Sequence, residues 1–477
     1  LSQKVMKDLR LGRDSLGLEE VLQVASGSRS VTITTRAQQH IKSVRNAIDS
    51  LLQESVEPIY GLNTGFGALA EHSIPDHQLA QLQTNLVRSH ATGVGEPFDI
   101  PTTRAMMLLR ANVLLIGTSG VRLAVPRLLL DMLDAGITPS IPEKGSVGAS
   151  GDLAPLAHLA LVLIGEGQAL VEGKHMSGRD ALISQGLAPL QLCPKEGLAL
   201  INGTQAMTAD AALVVSRAKN LAKVADIAGS CSVQSLLGSA HPFDERIHSV
   251  RPHPGQIESA QNMRRLTSDS AIIASHKDCD KVQDPYSLRC IPQVHGASRQ
   301  AIEHAWQVID IECGSATDNP LVFADDAYNL TFLSGGNFHG QPIALAADYL
   351  GIAVSELANI SERRVEQLVN PALSSGLPPF LAPDSGLNSG FMIAQVTAAA
   401  LVSENKVLAH PASVDSIPSS ANREDHVSMG TIAARKARSI VSHAESVLAI
   451  ELLCAIQGMY LRRPLEASPP IEALIDR

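Results

Sequence analysis

Ala149-Ser150-Gly151, inside the run GSVGASGDLAP at residues 145–155, is the part of this chain whose residue types can do chemistry that ordinary side chains cannot. The standard amino acids supply nucleophiles, acids and bases but no strong neutral electrophile, so reactions that need an electron sink usually borrow a cofactor. This tripeptide can make one from itself. Attack of the Gly151 amide nitrogen on the Ala149 carbonyl carbon closes a five-membered ring. Loss of water from that adduct and from Ser150 then leaves an exocyclic methylidene, and the product is a methylidene-imidazolone. Ala149 is small enough to let the chain bend, Ser150 brings the carbon and the leaving hydroxyl, and Gly151 has no Cβ to obstruct the approach. Asp152 is placed to move protons. The run DLAPLAHLALVLIGEG reads as a helix beginning at Asp152, whose positive end would stabilise electron density pushed into the ring.

The longer context GSVGASGDLAPLAH resembles the signature of the aromatic amino acid ammonia-lyase family. YGLNTGFG at 60–67, EGLALINGTQ at 196–205, QDPYSLRC at 283–290, SGGNFHGQP at 334–342 and SENKVLAHPASVDSIPSSANREDHVSM at 403–429 resemble its histidine branch. The resemblance implies removal of ammonia from an α-amino acid, L-histidine, to give trans-urocanate. Two obstacles stand in the way: the proton to be lost sits on a carbon with no activating carbonyl beside it, and ammonia is a poor leaving group. The substrate amine adds to the methylidene carbon, and the alkylated amine departs with its electrons drawn toward the ring. Tyr60 is the base that the family implies; its ordinary pKa near 10 is too high, so a neighbouring positive charge and a helix end are expected to lower it.

Arg289 in PYSLRC suits a substrate carboxylate, because its planar fork can bond both oxygens. Asn202, Gln283 and Tyr286 match family positions that hold ring or substrate through directed polar contacts. Phe338 in GGNFHG resembles the residue set against the electrophile's surroundings. His90, in NLVRSHATGVG, matches the place where the histidine branch carries Ser-His, and a histidine can hydrogen-bond an imidazole. Glu404 in LVSENK is the second determinant, since a carboxylate can accept from the substrate imidazole or favour its charged form. Beside a benzene ring both groups would be left unpaired, which penalises phenylalanine. A phenylalanine or tyrosine ammonia-lyase, or an aminomutase that returns ammonia to the β-carbon, would use the same electrophile. A noncatalytic scaffold is disfavoured by the intact tripeptide with Tyr60 and Arg289, and no fumarase-type signature loop is found.

Two departures from the family stand out. IPQVHGA at 291–297 has His295 where bacterial relatives often have Met, and FHGQP replaces the commoner FHAEP, putting Gln341 in place of a carboxylate near the expected site. Both are expected to tune substrate or pH preference. The chain also stops at Arg477, where many relatives continue through further helices.

The elements that must position these residues read as helices. After a strand-like VTIT, Thr35 and Gln38 resemble a capping box, and Ala37, Ile41, Val44, Ile48 and Leu51 recur at helical spacing. Similar periodicity runs through 198–237, 294–317, 341–369, 390–408 and 431–455, lengths natural in a bundle. Only 3% of residues are aromatic, so helices can pack closely through small side chains. The fold expected is all-α: an elongated bundle of long antiparallel helices, with Gly- and Pro-rich loops carrying the motifs. A loop-rich region over 1–195, holding the tripeptide, is followed by the long-helix bundle and C-terminal helices over 196–477.

Bulk properties narrow the function further. At 477 residues, more than one compact subregion is expected, and a net charge of −10 argues against nucleic acid or an anionic membrane as partner. Cysteines 193, 231, 279, 290, 313 and 454 form no CxxC pair, which fits reduced thiols and no metal site. No 18-residue stretch is apolar and free of charge and turn formers, and LSQKVMKDLR has no signal-peptide core, so a cytoplasmic protein trimmed of its initiator Met is expected. The ring would form without an external cofactor. The family builds each site from several subunits of a homotetramer, which implies an isolated chain that is inactive.

Overall fold

The structure is a computed structural model that describes residues 7–12, 15–54, 58–278 and 281–475. The first six residues, Cys279 and Arg477 lie outside them. Helices dominate. Among the described residues, strands form only four small sheets, three of two strands and one of three. The expected all-α fold is therefore found. Periodicity placed the long helices well: they run Ile291–Cys313, Gln341–Val369, Met392–Leu408 and Gly430–Tyr460.

One expected helix is two. The apolar pattern over 198–237 is continuous, yet the chain is helical at Glu196–Ile201, breaks, and resumes at Gln205–Ser235. Asn202 is extended at the break and Gly203 has φ +152°, a conformation that glycine adopts readily. The capping box also shifts. The strand Val31–Ile33 leads into the helix Thr35–Glu54, and it is the Thr34 hydroxyl that accepts the Ala37 N–H at 3.3 Å, while Gln38 donates to the Ile33 carbonyl. With neighbouring threonines at 34 and 35, sequence spacing could not say which one turns its hydroxyl into the helix.

The chain forms two compact units that interleave in sequence. The first comprises Leu1–Leu213, Gln307–Ala346 and Ala412–Arg435; the second comprises Val214–Trp306, Ala347–Pro411 and Lys436–Arg477. A sequence-based division cuts once, at 195/196, whereas contacts in space return two later loop-bearing segments to the first unit. In that unit the helix Ile100–Ile116 is buried along nearly its whole length. Asp99 caps its start by accepting the Thr102 N–H, and Gly117, with φ +92°, ends it.

The second unit has its own core around Phe243, Leu288, Ile291 and Leu368. It also encloses charges. Arg364 pairs with Glu451, both side chains fully buried, and His295 bonds Asp226 at 2.8 Å. Two helices, Gln341–Val369 and Gly430–Tyr460, are long and apolar enough to cross a membrane on length and composition. Buried helices of a protein bundle meet the same criterion, and 67% and 44% of their most apolar windows are buried inside the protein. Five cysteines, 193, 231, 290, 313 and 454, are unpaired.

Candidate active site

The Ala149-Ser150-Gly151 turn lies in the first unit on the wall of a cavity of about 600 Å³, a size suited to a small metabolite. The same wall carries Tyr60, His90, Asn202 and Phe338, so five segments far apart in sequence meet at one place.

Gly151 has φ +71°, and a Cβ there would fall 2.1 Å from the Gly203 carbonyl oxygen. Glycine is required on both counts. The same carbonyl accepts the Asp152 N–H at 2.7 Å, so the turn is clasped to the break between the two helices. Ser150 donates its hydroxyl hydrogen to Glu424 Oε1 at 3.0 Å.

Asp152 precedes the helix Leu153–Leu163, as the sequence indicated, but does not cap it with its side chain. Its carboxylate instead accepts from Ser146, from Thr431 and, at 2.8 Å, from Met207 N–H in the first turn of Gln205–Ser235. Those N–H groups have no partner within their own helix, which is why a carboxylate docks there. Asp152 is wholly buried, and burial pushes its pKa up despite these bonds. It sits beneath the turn and does not line the cavity.

Tyr60 meets Phe66 edge to face, with ring centroids 6.4 Å apart, and its oxygen accepts the Gly67 N–H at 3.5 Å. Here the expectation of a lowered pKa is corrected. Burial raises it first, the Gly67 N–H lowers it less, and the Glu424 carboxylate adds to the rise. The nearby charge acting on Tyr60 is thus an anion, because the loop 419–426 brings Glu424 where a cation was expected. Glu424 went unremarked in the sequence, although it lies within the long run at 403–429 that carries the resemblance. Its acidic, half-buried place at the tip of a loop was not readable from spacing.

His90 ends the helix Leu79–His90. Its Nδ1 lies 2.8 Å from the Leu86 carbonyl oxygen. A carbonyl only accepts, so Nδ1 carries a proton, and in the neutral ring Nε2 is left to accept. Asn202 donates through Nδ2 to the Asn319 carbonyl at 2.9 Å, while its buried Oδ1 has no protein partner. An orphaned acceptor beside the turn is the mark of a site built for a further polar group. His339 and His426, stacked at 5.7 Å, also line the cavity.

Gln283, Tyr286, Arg289 and Glu404 belong to the second unit, and none of them lines this cavity. Tyr286 is 70% exposed, Gln283 and Glu404 are exposed, and Arg289 is half-buried with its guanidinium 4.5 Å from the Tyr286 ring centroid. Gln341, the departure expected near the site, starts the helix Gln341–Val369 and does not line the cavity either. His295 lies in the buried ionic cluster of the second unit.

Fold and site together define a class: an all-α protein whose Ala-Ser-Gly turn faces a metabolite-sized cavity, with a tyrosine and a histidine on the same wall. A family model described as aromatic amino acid lyase matches residues 16–477. The chain is 57% identical over 467 residues to the histidine ammonia-lyase of Sorangium cellulosum, an alignment covering 97% of this chain and 91% of that one. The crystal structure of histidine ammonia-lyase from Trypanosoma cruzi is similar at a TM-score of 0.89 and 45% identity, covering 98% of this chain and 88% of that one. Tyrosine aminomutase from Streptomyces globisporus is similar at a TM-score of 0.91 and 39% identity, covering 98% and 91%. This chain belongs to the aromatic amino acid lyase family.

Proposed function

We propose that this protein is an ammonia-lyase that converts L-histidine to trans-urocanate and ammonia, the opening step of histidine degradation, in the cytoplasm. The observation that carries the reading is the clasped Ala149-Ser150-Gly151 turn on the same cavity wall as Tyr60 and His90. Its electrophile is a methylidene-imidazolone formed autocatalytically from that tripeptide, without an external cofactor. The residues fit the group: Gly151 occupies a place that admits no Cβ, and the Asn202 oxygen beside the turn lacks a partner. Once formed, the ring supplies a methylidene carbon that captures the substrate nitrogen and draws off its electrons.

The rest is work for side chains. Tyr60 takes the proton from the substrate β-carbon, and the Gly67 N–H supports the phenolate that does so. His90 Nε2 accepts from the imidazole N–H, and Phe338 closes the wall against water. Asn202 orients the ring through its free oxygen. Arg289 binds the carboxylate bidentately, Tyr286 and Gln283 flank it, and Glu404 accepts from the imidazole or steadies its charge. These four residues complete the site in a homotetramer whose active sites are shared between subunits, which accounts for a half-buried Arg289 whose buried Nε lacks a protein partner and for the exposure of Tyr286 beside it.

Greater identity to histidine ammonia-lyases than to the aminomutase supports the substrate, as does the lone pair of His90. Purified protein is incubated with L-histidine and with L-phenylalanine, following urocanate or cinnamate by near-ultraviolet absorbance. Urocanate alone is expected, with the rate falling at least about a thousandfold in Ser150→Ala. Cinnamate, or a β-amino acid, overturns the substrate.

A further inference from the structure

Behind the cavity wall, which it does not line, a fully buried arginine of the helix Ile100–Ile116 meets the break between the helices Glu196–Ile201 and Gln205–Ser235. Arg110 Nη1 donates to the Asn202 carbonyl at 2.8 Å. Its Nε and Nη2 have no protein partner, although a guanidinium in a dry interior ordinarily has all its N–H groups engaged. Around them lie further buried polar groups. A Cβ built on Gly203 would sit 3.1 Å from Arg110 Nη2, 3.0 Å from Thr317 Oγ1 and 2.5 Å from Gln205 Oε1, and that Gln205 oxygen is itself unpartnered. Close by, Lys195 and Asp318 form a fully buried pair at 3.3 Å.

A buried cation kept over an apolar residue in a helix core is costly, so its grip on the Asn202 carbonyl calls for a reason other than packing. The peptide after that carbonyl is Gly203, whose own carbonyl holds Asp152 N–H and abuts the Gly151 Cα. The chain of contact runs Arg110, Asn202, Gly203, Gly151.

We propose that Arg110 is a positioning residue for ring formation: by holding the Asn202–Gly203 peptide still, it presses the Ala149-Ser150-Gly151 turn into the tight bend from which it closes. The inference rests on the tripeptide reading above. Closure forms the bond from Gly151 N to Ala149 C and releases two waters. One carries the Ala149 carbonyl oxygen with the amide hydrogens of Gly151 and Ser150; the other carries the Ser150 hydroxyl with its α-hydrogen. No electrons are gained or lost, so no co-reactant is needed.

The test compares the wild-type chain with Arg110→Met and Arg110→Gln, each purified as folded protein by size exclusion and circular dichroism. Mass spectrometry then follows, over time after synthesis, the fraction of the peptide spanning 145–155 that has lost two waters. A purely structural role would change the yield of folded protein but not the matured fraction within it. Loss of one charge-assisted hydrogen bond should slow maturation in the folded variants by on the order of tenfold or more. Equal maturation in the folded variants and the wild type overturns the role of Arg110, as does failure of both variants to fold. A wild-type chain with no two-water deficit overturns the tripeptide reading itself, and is thereby told apart.

Discussion

Tyr60 and Glu424 set the acid–base character of the cavity against each other. Burial first, and the neighbouring carboxylate after it, oppose loss of the phenol's proton, so in the isolated chain Tyr60 titrates above its ordinary value. Replacing Glu424 by Gln removes the like charge and should move the Tyr60 ionisation to lower pH. Ultraviolet titration of the variant, taken as a difference against the same protein with Tyr60→Phe to subtract the other four of the five tyrosines, reads this directly. A midpoint that stays put would show that burial alone governs Tyr60. Glu424 also accepts from the Ser150 hydroxyl, so a residue that raises the tyrosine's pKa touches the tripeptide as well. Neither contact has a signature in the sequence, because residues 60, 150 and 424 meet only after three distant loops are folded together.

Helices here matter as much for their ends as for their faces. The Gln205–Ser235 N-terminus is satisfied by Asp152, a residue from the flank of another helix, and the break before it is held by Arg110. In the second unit the helices Gln341–Val369 and Gly430–Tyr460 are tied by Arg364 and Glu451, at 2.5 and 2.8 Å with neither side chain exposed. Ser232 also donates to Glu451, and Arg364 contacts His295. Arg364→Met should strand a buried carboxylate and cost about 3–5 kcal/mol, read from the urea midpoint. The double change with Glu451→Leu should recover most of that loss. A single variant as stable as the wild type would mean that water reaches the carboxylate.

At the scale of the whole molecule, the residues proposed for the site are divided between the two units. Tyr60 and His90 lie at the cavity wall of the first unit, whereas Arg289 and Glu404 belong to the second and do not line that cavity. If the proposed sharing between subunits holds, Tyr60→Phe and Arg289→Met chains should each be inactive alone. Refolded together in equal amounts they should regain about a quarter of the wild-type rate, since random mixing gives that share of intact sites. No recovery in mixed tetramers would mean that each site draws both residues from a single chain. Ile393, Val396 and Leu453 are exposed apolar residues, which the proposed tetramer would cover.

From composition and periodicity alone the helical class was legible, and so were four of the long helices, because a buried stripe repeats at the helical period whatever surrounds it. The tripeptide proposed to form the electrophile could be picked out too, since the proposed chemistry depends on three adjacent residues. Tertiary structure decided what depends on contacts across the chain. It broke the helix at 202–204, where Arg110 and Asp152 claim two backbone carbonyls that a continuous helix would have used. It chose Thr34 over Thr35 as the cap, placed Asp152 under the turn, and set an anion beside Tyr60. A local pattern reports which residues want burial; which buried polar groups find one another is settled only when the segments meet.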